Sequence, residues 1–394
     1  MRHSRRAGRA LLVGAVLGLG VARPAVAADQ AALDFLSSME FGGHLHTLAS
    51  YQATRRADGA TDAVSDIHIN SLELGLTASP YRFLDANVVW LLEEGAGGGA
   101  ADQAFAVDQA FVTLSGTPAM LKASDQRRRL AGVPPLYLQA GKFYVPFATD
   151  LNYHTFDVVS EPPTLALGET LDSGLRVGYA DGAVHAFGGV FGGSGQDGGP
   201  NGASIDAADD DLDDYFLGVS VAGAPGKLAV RYISNLNNSL ALQEALGRTA
   251  AGNATARAET ANPGLALYGR TGAGPVTLQA SYVAARDAYQ YGALAGHRPT
   301  AATGELTYRV NHTWEATAVY HHTADWPDRA ERGAGAVVGA RLAPGLSLAA
   351  QYLHRSHDTD LSGTDREQVA ALLLDVAFGE LFGPLVRNRA SAME

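Results

Sequence analysis

The sequence predicts an all-β fold, a transmembrane up-and-down antiparallel β-barrel of about sixteen strands with no N-terminal plug. Three observations carry it. Segments of about ten residues alternate apolar and polar side chains, the period of half-buried strands. The connections between them alternate short and long. The chain opens with the pattern of an export signal.

The opening comes first. Arg2, Arg5, Arg6 and Arg9 make a basic start, residues 10–21 an apolar run, and Ala25-Val26-Ala27 a cleavage site, so residues 1–27 read as a signal peptide. An uncleaved anchor is the other reading, but about 12 apolar residues fall short of the ~20 that span a bilayer. Residues 28–40 form a short N-terminal segment, a brief helix or tether, and the barrel occupies 41–378. Phe378 looks like the terminal aromatic of the last strand, which leaves 379–394 as a periplasmic extension.

Strands are expected at about 41–52, 65–78, 84–94, 104–116, 136–147, 169–181, 183–192, 213–223, 227–236, 264–273, 275–286, 301–311, 313–323, 333–343, 346–356 and 366–378. Short turns fall at 79–82, 180–182, 223–226, 272–275, 310–312 and 343–345, and long connections at 54–64, 94–103, 148–168, 193–212, 236–263, 287–299, 324–332 and 357–364. The connection 117–135, with Arg127, Arg128 and Arg129, is long where the rule wants a short one. Such a meander is best closed into a barrel, which leaves no unpaired edge. In the second strand the apolar parity slips from Ile67 and Ile69 to Leu72, Leu74 and Leu76, which predicts a bulge near Asn70 and Ser71.

The faces point to a membrane. Leu228-Val230-Tyr232, Val276-Leu278-Ala280-Tyr282, Leu306-Tyr308-Val310 and Leu346-Leu348-Ala350-Tyr352 are apolar rows carrying Tyr, as lipid-facing rows with aromatic girdles do. The opposite rows are small or polar and suit a water-filled lumen. A soluble β-sandwich array would also alternate, but it does not account for the turn-length alternation under an export signal.

Composition agrees with this placement. Charged residues are 18% of the 394, below the usual ~25%, and the 46 glycines are well above average. The absence of cysteine excludes disulfides and thiolate metal sites, and a net charge of −12 argues against a nucleic-acid partner. No cofactor is called for. An enzyme is not expected, because no G-x-S-x-G elbow appears and Ser173 beside Asp172, or Ser160 near His154, are chance pairings.

Candidate functional residues fall in two groups. Arg176, Arg231, Arg270, Arg309 and Arg341 lie on the inward parity, with Lys142 in the stretch 137–179. They read either as a substrate path selective for anions or as structural ion pairs with Asp172, Asp214, Glu305 and Glu315. The second group is the connection 148–168, which carries Asp150, Tyr153, His154, Phe156, Asp157 and Glu161 beside apolar residues. At ~20 residues it is long enough to be functional, and it has the composition of a constriction loop packed on a wet wall. The acidic run Asp206, Asp209, Asp210, Asp211, Asp213 and Asp214 reads as a solvated rim loop, lacking the Gly and Glu of an EF-hand. His44 and His46 share a strand face, as do Asp66, His68 and Asn70 on the next strand, so a hairpin would bring imidazoles and a carboxylate together; lumenal hydrogen bonding, or a ferric complex brushing the wall, is favoured over a protein metal site.

The stretch Gly141-Lys142-Phe143-Tyr144-Val145-Pro146-Phe147, followed by Glu161-Pro162-Pro163-Thr164-Leu165-Ala166-Leu167-Gly168-Glu169-Thr170, resembles the LbtU-type siderophore porins of Gram-negative outer membranes. The Gly-Lys-x-x-x-Pro-Phe strand is shared with phosphate-selective porins. The resemblance implies a sixteen-stranded barrel that passes a siderophore without the plug of TonB-dependent receptors. The chain departs from it in its N-terminal stretch, where a coiled-coil-like segment is nearly absent, and in residues 379–394. The reading is an outer-membrane channel, termini periplasmic, taking up a small anionic solute, a siderophore or its ferric complex favoured. A general anion- or phosphate-selective porin and an adhesive barrel without channel activity are the alternatives. Expected partners are the outer-membrane lipid bilayer, the solute and the barrel-assembly machinery, with a homo-oligomer left open.

Overall fold

The computed structural model describes residues 38–81, 83–93, 106–116, 136–148, 162–181, 183–192, 212–224, 226–239, 241–242, 261–290, 292–327, 329–357 and 364–379. Within them sixteen strands close into one barrel. They are β1 (Met39–Arg56), β2 (Thr61–Tyr81), β3 (Leu84–Glu93), β4 (Ala106–Ser115), β5 (Leu136–Tyr144), β6 (Leu171–Ala180), β7 (Val184–Phe191) and β8 (Asp214–Gly223). The second half is β9 (Gly226–Ile233), β10 (Gly264–Ala273), β11 (Val276–Ala285), β12 (Thr300–Arg309), β13 (Trp314–Ala324), β14 (Arg332–Ala343), β15 (Leu346–Ser356) and β16 (Thr364–Gly379). Each strand pairs antiparallel with the next, and β1 closes on β16 from Gly42 opposite Gly379 to Arg56 opposite Thr364. In hydrocarbon an unpaired strand edge would strand its N–H and C=O groups, and closure removes the edge.

The outward rows are those the alternation predicts. Leu228, Val230, Val276, Leu278, Leu306 and Val338 are exposed, with Tyr282, Tyr308, Tyr320 and Tyr352 among them. In water this would be an aggregating surface; as a lipid face it is favourable, and the tyrosines suit its two interfaces.

Several boundaries differ from expectation: the strands expected over 136–147 and 227–236 end at Tyr144 and Ile233, and two turns move. The first hairpin has no long connection: β1 runs on to Arg56 and β2 begins at Thr61, leaving 57–60 as the turn. The reason is that Thr54 opposite Asp62 and Arg55 opposite Thr61 continue the ladder without a break. At the other end β2 continues through Ser79 to Tyr81, so the turn moves to 82–83. The parity slip in β2 is a bulge, because pairing steps from His46–Ser71 to Thr47–Ile69 and leaves Asn70 unopposed. The signal peptide, the connections 94–105 and 117–135, the run Asp206 to Asp211 and the extension after Gly379 lie outside the described residues.

The interior is not wet on every side. Phe143, Phe187, Phe191, Phe216 and Ile233 fall on the inward parity of β5 and β7–β9 and form one buried cluster with side chains that are not on the wall at all. Those are Phe147, Ala148, Ala166 and Leu167, from the connection between β5 and β6, and Leu236, Leu242, Tyr289 and Leu294 from later connections. The lumen, expected to be lined by small or polar rows, carries an apolar cluster on β5 and β7–β9, with Arg176 and Arg231 beside it.

Candidate constriction and passage

The β5–β6 connection turns into the barrel, and both described arms are anchored there. On the first arm, the Val145 N–H donates to the Thr170 carbonyl oxygen at 2.8 Å, and Val145, Phe147 and Ala148 are fully buried. The second arm is a short helix, α1 (Pro163–Gly168). Two consecutive prolines favour its start, since Pro at the first helical position fixes φ and has no N–H to satisfy. It stops at Glu169, whose backbone is already extended at φ −70° and ψ 113°. Leu167 and Ala166 face the apolar wall, and Thr164 faces the other way.

The Thr164 hydroxyl lies 3.1 Å from Ser281 Oγ on β11 and 3.0 Å from Thr303 Oγ1 on β12. The Ser239 hydroxyl donates to the Ala166 carbonyl at 3.0 Å. The helix thus bridges from β6 to β11 and β12 across the interior. Its close approach to the first arm needs Gly168, because a Cβ there would stand 2.2 Å from Ala148 Cβ.

Among the described residues Arg231 is the largest fully buried side chain, at 1% exposure. Its guanidinium donates to the Pro146 carbonyl oxygen at 3.1 Å and stacks on the Phe187 ring at 4.4 Å. Arg176 stacks on the same ring at 4.5 Å and on Tyr137 at 5.2 Å. Gly218 makes the room, since a Cβ there would meet Phe187 at 2.3 Å and Arg231 Cδ at 2.5 Å. Of the predicted cations, these two lie beneath the inturned connection, where they join it to the wall.

The others are placed elsewhere. Arg270, Arg309 and Arg341 keep the inward parity and sit in the half of the barrel that ends in short turns. Arg270 faces Lys227 across one ladder and Gln279 across the next, and the Gln279 amide donates to Glu305. Arg341 lies 3.6 Å from Glu315, so the ion-pair reading holds at that position. Lys142 is on the outer face: it stands opposite Ala110 and Ser173, on the parity of Leu136 and Leu138. Alternation along β5 puts odd residues inward, and position 142 is even; its Nζ meets the Val107 carbonyl at 3.5 Å near the strand end. Asp150, Tyr153, His154, Phe156, Asp157 and Glu161 lie outside the described residues.

A polar cavity of about 460 Å³ remains on the side of the interior away from the apolar cluster, between Pro163 of α1 and the walls of β1 and β13–β16. Arg329, Arg355, His357 and Glu367 line it with Gln52 and Thr54. Arg355 donates to Glu367 at 3.1 Å, and His357 Nε2 stands 3.5 Å from the same carboxylate oxygen. Arg329 stacks over Trp326 at 5.1 Å. Among the described lining residues, two guanidinium groups stand against one carboxylate. Sequence reasoning missed Arg329 and Arg355, although Arg355 lies on the inward parity of its strand, the same signal that selected Arg341.

No family model matches the chain, and no curated protein matches it in sequence. Solved structures do match in fold. The outer membrane channel DcaP of Acinetobacter baumannii aligns at 12% identity and a TM-score of 0.55, covering 86% of this chain and 97% of that one. Pseudomonas putida OprB gives 12% and 0.56 over 88% and 96%. An anion-selective porin from Comamonas acidovorans gives 14% and 0.54 over 86% and 99%. The fold is therefore that of the outer-membrane porins, a closed barrel of sixteen antiparallel strands.

Proposed function

We propose that this protein is an outer-membrane channel for small anionic solutes, with its termini and short turns on the periplasmic side. The cavity beside α1 carries the reading: an inturned connection narrows the barrel and leaves a polar gap whose fixed charges, Arg329 and Arg355 against Glu367, favour anions. Sixteen-stranded porins leave an aqueous channel, and in this reading the connection narrows it. Arg270 and Arg309, with Lys227, extend the cationic wall toward the periplasmic mouth, while Arg341 is offset by Glu315. The undescribed middle of the connection, with Asp150, Tyr153, His154, Phe156, Asp157 and Glu161, completes the constriction in this reading.

The favoured solute is a siderophore or its ferric complex, on the likeness of the strand–connection–strand stretch 141–170 to the siderophore porins. A general anion- or phosphate-selective porin is the second reading, supported by the fold match to an anion-selective porin. Single-channel recording in planar bilayers separates them. A siderophore route predicts saturable block of the current by ferric siderophore and iron-starvation-dependent uptake lost in a deletion strain. Anion-selective current without such competition favours the general porin, and no current at all favours an adhesive barrel.

A further inference from the structure

The β16–β1–β2 seam carries a second constellation, remote from the cavity beside α1. His44 and His46 share the inward face of β1. The register sets Asp375 of β16 opposite His46 and the small Ala377 opposite His44, so the Asp375 carboxylate reaches both rings. His44 Nδ1 lies 2.9 Å and His46 Nε2 3.3 Å from Asp375 Oδ1, and the three atoms all fall within 4.8 Å of one another. Tetrahedral ligands at ~2.1 Å from a zinc-type ion stand about 3.4 Å apart, so small side-chain shifts bring these atoms to ligand spacing.

Outer partners aim two of the three. Ser71 Oγ, opposite His46 in the β1–β2 register, is 3.0 Å from His46 Nδ1. In the tautomer that donates Nδ1–H to Ser71, Nε2 presents its lone pair to the site. The Ser347 hydroxyl donates to Asp375 Oδ2 at 3.1 Å, which leaves Oδ1 for the site. Hydrogen bonds of this kind orient metal-binding imidazoles and carboxylates. The side chains are 15%, 30% and 24% exposed, open to the lumen and not sealed in a core.

We propose that His44, His46 and Asp375 bind a divalent transition-metal ion on the lumenal wall. Two imidazoles and one carboxylate suit zinc, nickel, copper or ferrous iron rather than calcium or magnesium. Three protein ligands leave at least one coordination position, turned to the channel, for water or an oxygen donor in transit.

The full-length barrel, purified without a histidine tag and stripped with chelator, is titrated with Co²⁺ and read by its visible absorption. One Co²⁺ per chain is expected, displaced by Zn²⁺. His46→Ala should abolish stoichiometric uptake. Ser71→Ala, which leaves all three ligands in place, should weaken it by about 10- to 100-fold. His68→Ala, paired with Asp66 at 3.0 Å one step beyond the bulge, should leave it unchanged. Wild-type barrel that takes up no stoichiometric Co²⁺ overturns the proposal whatever the variants do. So does uptake insensitive to Ser71→Ala, or uptake lost equally in His68→Ala.

Discussion

The Arg231 guanidinium holds the Pro146 carbonyl oxygen at 3.1 Å, fastening the inturned connection to the β9 wall from beneath. A hydrogen bond from a charged donor is worth roughly 1.5–3 kcal/mol, and the stack on Phe187 adds to it. Arg231→Ala is therefore expected to loosen the connection and to raise single-channel conductance. The temperature at which the barrel loses its heat-modifiable gel mobility should fall. Unchanged conductance would mean that the connection is held by its apolar arms alone.

Those arms can be tested separately. Phe147 is fully buried against the cluster that includes Phe191, Phe216 and Ile233. Phe147→Ala should cost about 3–5 kcal/mol of docking and packing by the measure of buried aromatic deletions. Protease cleavage between β5 and β6, followed by gel analysis of the intact barrel, reads the release of the connection.

Thr164 supplies the far anchor of α1. Thr164→Val keeps the shape but removes the hydroxyl that meets Ser281 and Thr303 in a buried place, Thr303 keeping His321 Nδ1 at 3.2 Å, at a cost of roughly 1–3 kcal/mol. The expected result is noisier open-channel current with mean anion selectivity unchanged, since no charge is lost.

In the proposed anion channel, selectivity follows the lumenal cations. Arg355→Gln is expected to shift the reversal potential across a salt gradient toward the unselective value. Lys142→Gln, on the outer face, should leave it where it was. The pair separates a lumenal charge effect from a general change in net charge.

A pH effect is expected at the rim. Asp325 lies at φ 58° between β13 and β14 and takes the Arg298 N–H and the His297 imidazole, the latter at 2.7 Å. Burial alone pushes its carboxyl up, but the Arg298 N–H and His297 outweigh burial, and its pKa lies below the ordinary carboxylate value. A depressed folded pKa means that this latch stabilises the loops above the unfolded carboxylate value of ~3.9 and is lost as pH falls through the lower folded one. Hydrogen exchange at the Arg298 amide should show protection constant from pH 5 to 8 and falling in stronger acid. Asp325→Asn, which tolerates the left-handed backbone, should remove the acid step and speed exchange at neutral pH.

Much of the molecule was legible in the chain because its determinants are local. A period of two over about ten residues decides strand and face together, and turn-length alternation decides the up-and-down order. The bulge at Asn70 showed as a break in parity, which is a local property too. What escaped were relations between residues far apart. Lys142 was placed inward because its strand was read without its phase against β4 and β6. His44 and His46 were set against Asp66 and His68 on the neighbouring strand, whereas closure brings them Asp375 from the other end of the chain.

The sequence by itself determined the barrel, its strand number and its lipid and lumenal faces, since each is written in nearest-neighbour alternation and turn spacing. Only the tertiary structure decided what the lumenal residues do. Ring closure sets the register between first and last strands, and the inturned connection decides which inward side chains meet water. Arg231 and Arg355 share the same parity and differ only in that the connection covers one of them.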